Sequence, residues 1–391
     1  MRLVQECRLR GNLAGILYGV SLVPPVSPVH LGLTSNYPRP EEIVAASREF
    51  DRGRLSEDQM GALYSTWTDR VIEIETRLGF DTVTGGELPR QDLFRAFSES
   101  LPGLEVGSLT RWFETNTFFR QPIVNAPPQW APGAFARRLP LEKLTASRIA
   151  PRVILPGPYT FTALCDNRTD LSRQELARRW SELLALEIQD LSAHGVKVFQ
   201  VQEPSLVVDP PSVEEESWVR EAFEPLAPAL ANVDSVLWTF FGDGAPVLPL
   251  LSSLPFETIG IDLADTDPSR LTELATGKGL GLGCLDSRTT LVEDPAELAR
   301  IAKDLTQRLE PSSVLLGPGA PLELVPWDVA EKKLTVLARA RELIEGGAKA
   351  SEVPSAGATS PARRRSSTPK ARPKGKSAPA KGRGAGKGRS R

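Results

Sequence analysis

Several polar side chains that could bind a ligand or transfer a proton stand directly after short apolar runs of the chain. The set comprises Ser35, Asn36, Arg39, Glu87, Gln202, Glu203, Asp262 and Asp286. Carboxylates can receive an ammonium group, whereas arginine, amide and backbone N–H groups can hold a carboxylate. Each residue alone is a weak signal, but their repeated position at the ends of apolar runs indicates one shared face.

The stretch from 29 to 39, VHLGLTSNYPR, shows the unit that would position them. A short apolar run ends in a polar turn, and a helical segment over 41–50 follows. The same alternation of apolar runs and amphipathic helices continues along the chain, which predicts an α/β fold with a parallel sheet closed into a (β/α)8 barrel. In such barrels the chemistry lies where strands end. We count nine strand-like runs, one too many, and expect the region 104–125 to be an excursion.

Local signals fix several helix starts. Ser56 with Gln59 and Ser172 with Glu175 are capping-box pairs, and Pro295 suits the first turn of a helix. These signals predict long helices after positions 56 and 172 and another from 295.

Three motifs carry a family resemblance: TSNYPRP, then GRLSEDQ, then TGGELPRQDL. In order and spacing they resemble the catalytic barrel of cobalamin-independent methionine synthase, as a short form related to its C-terminal barrel, and the resemblance extends to about Leu343. It implies a methyltransferase acting on a homocysteine-like thiol. The full-length enzymes have a separate N-terminal barrel that helps hold polyglutamyl folate. A short form would take its methyl group from a folate or, instead, from a corrinoid protein.

The resemblance also implies roles for individual residues. Glu87 would receive the substrate ammonium group, with a structural ion pair to Arg90 or Arg39 as the alternative. Ser35 and Asn36 would hold the substrate carboxylate through backbone N–H groups, with Arg39 beside them. Gln202-Glu203 stands where the family has Asp-Glu, so Gln202 would bind substrate as a neutral amide. Glu203 and Asp262 are the candidate catalytic carboxylates.

The family's zinc ligands do not carry over. The His-x-Cys positions fall on Trp238 and Phe240, the acidic ligand on Asp262 and the late cysteine on Ala320. A catalytic zinc site needs about three N, S or O ligands, and one remains, so we assign no zinc. Arg288 stands near the position of the family's acid–base histidine. Cys284, alone in an apolar strand, is expected to be a core residue.

Two other functions stay open at this stage. The barrel could be a non-catalytic amino-acid-binding or regulatory module that lost its metal chemistry. Alternatively, it could run a zinc-independent reaction of the uroporphyrinogen-decarboxylase-like kind, where Arg39, Arg90 and Arg288 would hold carboxylates.

Composition separates the chain into parts. Residues 351–391 carry twelve of the 47 basic residues and one of the 49 acidic residues, which leaves the body at 35 basic and 48 acidic. We therefore expect a lead-in over 1–28, a barrel over 29–345 and a disordered basic tail over 346–391 with weak polyanion or nucleic-acid contact. Three dispersed cysteines suit a cytoplasmic protein. The arginines and apolar stretch before position 24 make only a weak secretory pattern.

Overall fold

The structure, a computed structural model, describes residues 27–346. The predicted basic tail lies outside this range, as does nearly all of the lead-in. The strands in the described range are β1 Val29–Leu31, β2 Thr82–Val83, β3 Leu104–Arg111, β4 Phe118–Val124, β5 Ala150–Pro156, β6 Asp166–Asn167, β7 Val198–Gln202, β8 Asp234–Trp238, β9 Thr258–Asp262, β10 Gly279–Leu285 and β11 Val314–Pro318.

Eight of these strands form one parallel sheet in the order β1, β11, β10, β9, β8, β7, β5, β2. The sheet curls into a barrel, and the predicted fold class is confirmed. Its strands are almost wholly buried, from VFQVQ in β7 to GLGLGCL in β10. Such continuous apolar runs are expected of parallel strands that are covered on both sides.

The seam of the barrel lies between β1 and β2. The backbone N–H of Asp81 donates to the carbonyl oxygen of Leu31 at 3.0 Å. In return, the N–H of Leu31 donates to Asp81 Oδ2 at 2.7 Å. Arg341, near the end of the last helix, also donates to Asp81 Oδ2 at 3.0 Å. Three hydrogen bonds at Asp81 therefore close the seam.

Strands β3 and β4 form an antiparallel hairpin outside the barrel, with β6 parallel to β4. The expectation that 104–125 is an excursion is confirmed. Asp92 fixes the base of the hairpin, because its Oδ2 accepts the N–H of Arg120 at 3.0 Å while Oδ1 accepts those of Phe94 and Arg95 at 2.8 Å each. The hairpin is thereby held beside the ends of the barrel strands.

Helices cover the outside of the barrel. They are α1 Glu41–Asp51, α2 Glu57–Arg77, α3 Arg95–Ser98, α4 Leu141–Ala146, α5 Pro158–Leu164, α6 Arg173–Ala193, α7 Ser205–Val208, α8 Glu216–Phe223, α9 Ala227–Leu230, α10 Leu248–Ser253, α11 Pro295–Leu309 and α12 Trp327–Ile344. Short 3-10 turns lie at Gly85–Arg90, Ala136–Arg138, Glu224–Leu226, Pro268–Arg270 and Leu322–Leu324.

The predicted helix starts are confirmed. Ser56 and Gln59 form a reciprocal capping box at α2, and Ser172 and Glu175 form one at α6. Pro295 begins α11. Within the described residues, no helix has the length and apolar character that crossing a membrane requires.

Candidate functional site

Trp238, the last residue of β8, fills the interior of the barrel near its C-terminal mouth. Its side chain is fully buried. Gly260 in β9 and Gly281 in β10 lie against the indole, and a β-carbon on either glycine would overlap the ring. The indole N–H donates to the carbonyl oxygen of Gly319 at 2.9 Å. The next two strands of the sheet therefore lack side chains where the indole lies, and the tryptophan takes this space.

The neighbouring positions do not fit a zinc ion either. Phe240 is fully buried in an aromatic cluster, stacked on Trp112 with ring centroids 6.3 Å apart. Ala320 offers a methyl group. Asp262 is the one carboxylate of the set, and its oxygens accept backbone N–H groups of Ala264 and Phe241 at 3.0 and 3.4 Å. Indole, phenyl and methyl groups cannot coordinate zinc, so these residues do not fit the metal of the family.

Asp262 is nevertheless an unusual carboxylate. Burial raises its pKa to about 7, and the negative charge of Asp265 adds to the rise while Arg288 opposes it. Arg288 itself pairs with Asp265 at 2.8 Å and Asp286 at 3.1 Å. Arg288 therefore bridges Asp265 and Asp286, and Asp262 lies near enough for the charges of Asp265 and Arg288 to act on its pKa.

Glu203 has both oxygens engaged by its own chain. Oε1 accepts the N–H of Tyr159 at 2.9 Å, and Oε2 accepts that of Thr160 at 2.7 Å, so the carboxylate holds the first turn of α5. Gly157 leaves the room for this contact, because a β-carbon there would overlap the carboxylate. Burial raises the pKa of Glu203 to about 7. A catalytic role for Glu203 finds no support in this arrangement.

Glu87 adopts the structural alternative that the sequence left open. Its Oε2 pairs with Arg90 at 2.5 Å, and its Oε1 accepts the N–H of Ile154 in β5 at 3.2 Å. Arg90 also donates to the carbonyl oxygens of Ile154 and Leu93. Both residues are buried. The pair connects the loop after β2 to β5, and each oxygen of Glu87 already accepts one hydrogen bond.

The turn after β1 keeps free donors. The hydroxyl of Ser35 donates to the carbonyl oxygen of Ala320 at 3.2 Å, across the mouth from β1 to β11. Within the described residues, the backbone N–H groups of Ser35 and Asn36 donate to no other group. Over the same range, Arg39 makes no hydrogen bond or salt bridge. This turn therefore has the donors that a carboxylate needs.

A small cavity of about 30 Å³ lies at the mouth, between the barrel and the β3–β4 hairpin. Of the predicted site residues it brings together only Asn36 and Gln202. Its walls are Asn36, Asp92, Leu93, Trp112, Thr117, Phe118, Phe119, Gln202, Phe241, Pro321, Glu323 and Leu324.

Glu323 is a cavity residue that the sequence reasoning missed. It lies in the 3-10 turn after β11, where the rule that polar groups follow barrel strands also applies. Burial raises its pKa to about 7, Arg39 lowers it and Asp92 raises it further.

Cys284 is a core residue, as predicted. It is buried, and its thiol donates to the carbonyl oxygen of Leu282 at 3.3 Å. Burial raises the pKa of the thiol to about 12. A thiol held neutral in this way is a poor nucleophile and a poor metal ligand.

Comparison with known sequences gives a consistent result. The family model described as cobalamin-independent synthase, N-terminal domain, matches residues 99–310. The chain is 24% identical over 311 residues to the methionine synthase of Sulfurisphaera tokodaii, covering 79% of this chain and 90% of that protein. It is 24% identical over 302 residues to the methionine synthase of Sulfolobus acidocaldarius, covering 76% and 87%.

Comparison with solved structures supports the same fold. A B12-independent methionine synthase from a Shewanella species, solved in complex with selenomethionine, aligns with a TM-score of 0.67 at 17% identity, covering 82% of this chain and 98% of that one. The putative vitamin-B12-independent methionine synthase of Listeria monocytogenes aligns with a TM-score of 0.64 at 16% identity, covering 82% and 99%.

Proposed function

Because this chain belongs to the cobalamin-independent synthase family, we propose that it binds a homocysteine- or methionine-like amino acid at the mouth of its barrel. We further propose that it acts there as a substrate-binding barrel and does not activate a thiol through zinc. The observation that carries the first part is the turn after β1. Within the described residues, the backbone N–H groups of Ser35 and Asn36 and the guanidinium of Arg39 have no partner. The match to an N-terminal-domain model supports the second part.

The carboxylate of the amino acid would lie against this turn. Two adjacent backbone N–H groups and a guanidinium are suitable donors for the two oxygens of a carboxylate. Ser35 holds the turn in place through its bond to Ala320. The turn is therefore built before the ligand arrives, which lowers the entropic cost of binding.

The residues at the family's metal positions argue for a binding role. A thiol stays mostly protonated near neutral pH unless a metal or a base takes its proton. Trp238 and Phe240 can do neither. The matching family model is that of the N-terminal domain, whereas the motifs in the sequence suggested the catalytic C-terminal barrel. A barrel of the N-terminal kind that holds substrate agrees with both the model and the aromatic mouth.

Calorimetric titration tests the binding claim. We expect L-methionine and L-homocysteine to bind the purified protein, and Arg39→Met to weaken both by about tenfold. Arg48→Met is the matched control, because Arg48 is an exposed arginine on α1. The claim fails if neither amino acid binds, or if the two variants behave alike.

A second experiment tests the zinc-free role. After incubation with zinc and gel filtration, we expect metal analysis to find far less than one zinc per chain. We also expect the protein alone to give no methyl transfer from a methyl-folate or a methyl-corrinoid protein to homocysteine. One retained zinc per chain together with turnover would overturn this role and restore the metal-dependent enzyme.

A further inference from the structure

The mouth cavity has an acidic, aromatic lining. Of the residues that the structure describes, two carboxylates, Asp92 and Glu323, line it, and no lysine or arginine does. Asp92 is fully engaged with three backbone N–H groups. Glu323 accepts no hydrogen bond within residues 27–346 and forms no salt bridge there, although Arg39 is close enough to lower its pKa. The one unengaged charge at this cavity is therefore negative.

Gln202 adds an oriented acceptor. Its side chain is 4% exposed. Its Nε2 donates to the carbonyl oxygen of Thr34 at 3.0 Å, which fixes which end of the amide is the NH2 group. The other end, Oε1, accepts no hydrogen bond from the described residues and belongs to the cavity wall. A carbonyl oxygen without a protein donor can accept an N–H or O–H group from a ligand.

The aromatic walls favour a cation over a neutral donor. Trp112, Phe118, Phe119 and Phe241 surround the same space. The faces of such rings attract an ammonium group. The cavity of about 30 Å³ admits one or two water-sized groups, which is the size of an ammonium head but not of a whole amino acid.

We infer that Glu323 and Gln202 form the binding site for the primary ammonium group of the ligand, beneath the β3–β4 hairpin. Glu323 supplies the charge, Gln202 Oε1 accepts one N–H, and the aromatic rings exclude water. This inference rests on the amino-acid binding proposed above. It assigns to Glu323 the ammonium contact that the family resemblance gave to Glu87. The ammonium group enters the cavity, while the carboxylate stays at the turn of Ser35 and Asn36.

Three small probes and one matched pair of variants test the site by calorimetry. The probes are L-methionine, its decarboxylated amine and its des-amino acid. The variants are Glu323→Gln and the control Glu114→Gln, which removes the same charge from an exposed residue of the hairpin turn outside the cavity. Thermal melting of both variants verifies that they fold.

We expect L-methionine and the amine to bind the wild type and the control alike, and to lose about tenfold or more in affinity in Glu323→Gln. The des-amino acid should bind more weakly than L-methionine, with no change in Glu323→Gln. The inference is overturned if Glu323→Gln binds like the control, if the des-amino acid equals L-methionine, or if neither amine-bearing probe binds. If the amine binds through Glu323 but L-methionine does not bind, the ammonium site stands and the amino-acid function fails.

Discussion

The indole N–H of Trp238 donates to the carbonyl oxygen of Gly319 at 2.9 Å, which ties the end of β8 to the loop after β11. The two residues lie 81 positions apart in the sequence. Gly319 belongs to the GPGAPL segment, which also contains Ala320. Glu323 directly follows this segment. Trp238 therefore helps to place the loop that forms one wall of the cavity.

Trp238 and Gly260 should be energetically coupled. A methyl group at Gly260 would overlap the indole, so Gly260→Ala should cost about 1–3 kcal/mol of unfolding free energy. Trp238→Ala should cost about 3–5 kcal/mol. In the double variant the added methyl finds space, so Gly260→Ala should cost little there. Urea unfolding of the four proteins measures the coupling. An equal cost of Gly260→Ala in both backgrounds would contradict the packing described for the barrel interior.

The Glu87–Arg90 pair should matter for stability and not for ligand contact. Arg90→Leu leaves Glu87 buried and unpaired, which should cost about 3–5 kcal/mol. Glu87→Gln keeps an acceptor for Ile154 and should cost less. Urea unfolding gives the stabilities, and titration of the folded Glu87→Gln variant with L-methionine gives the affinity. We expect that affinity to be within about twofold of the wild type, because Glu87 does not line the cavity. A tenfold loss would return the ammonium role to Glu87.

Glu187 on α6 should make stability depend on pH. Its Oε2 accepts the indole N–H of Trp130 at 3.1 Å, while Oε1 is buried and has no hydrogen-bond partner among residues 27–346. Burial raises its pKa to about 7 from an ordinary 4.5. Between these values the folded state keeps a proton that the unfolded state has lost, so this contribution to stability is full below 4.5 and is lost as pH rises through 7.

Glu187→Gln removes that titration and can still accept from Trp130. Relative to this variant, the wild type should lose about 3 kcal/mol of unfolding free energy across that pH interval. Glu182→Gln, an exposed change on the same helix, is the control. Chemical unfolding at a series of pH values is the measurement. Parallel pH profiles for wild type and Glu187→Gln would show that the carboxylate does not titrate as its burial requires.

Lys333 should hold the loop after β10. Its fully buried ammonium group donates to the carbonyl oxygens of Asp286 and Leu291 and pairs with Glu293 at 2.7 Å. Lys333→Met should cost about 3 kcal/mol or more and should release a loop whose Leu291 is already 75% exposed.

Limited proteolysis gives the second readout for this loop. Chymotrypsin cleavage near Leu291 should accelerate in Lys333→Met and remain at the wild-type rate in Lys332→Met, which alters an exposed neighbour. Equal cleavage rates in the two variants would show that Lys333 does not restrain the loop.

The sequence predicted the fold well because its signals are local. The capping boxes at Ser56 and Ser172 and the apolar strands between helices are signals that extend over a few residues. Their alternation along the chain predicts the barrel. Arg90, the partner of Glu87 that the sequence offered, is three residues away, but the backbone N–H groups of Ile154 and Tyr159 that Glu87 and Glu203 accept are more than forty residues away. Residue type and spacing cannot reveal whether such a carboxylate is already satisfied.

Glu323 was missed for a related reason. Its surroundings combine the hairpin after β2 with the turn after β11, and only the closed barrel brings these together. The sequence did identify Gln202 and Asn36, because Gln202 ends the strand β7 and Asn36 lies in the polar turn after β1.

The seam at Asp81 has a consequence for how the protein is made. β1 pairs with β11, and Asp81 receives Arg341 from α12, so the first turn of the ring depends on residues some 260 to 285 positions later. Until the ribosome has released that last helix, the nascent chain exposes two unpaired strand edges. Closure of the ring therefore waits on contacts that are distant in sequence, and such contacts slow folding.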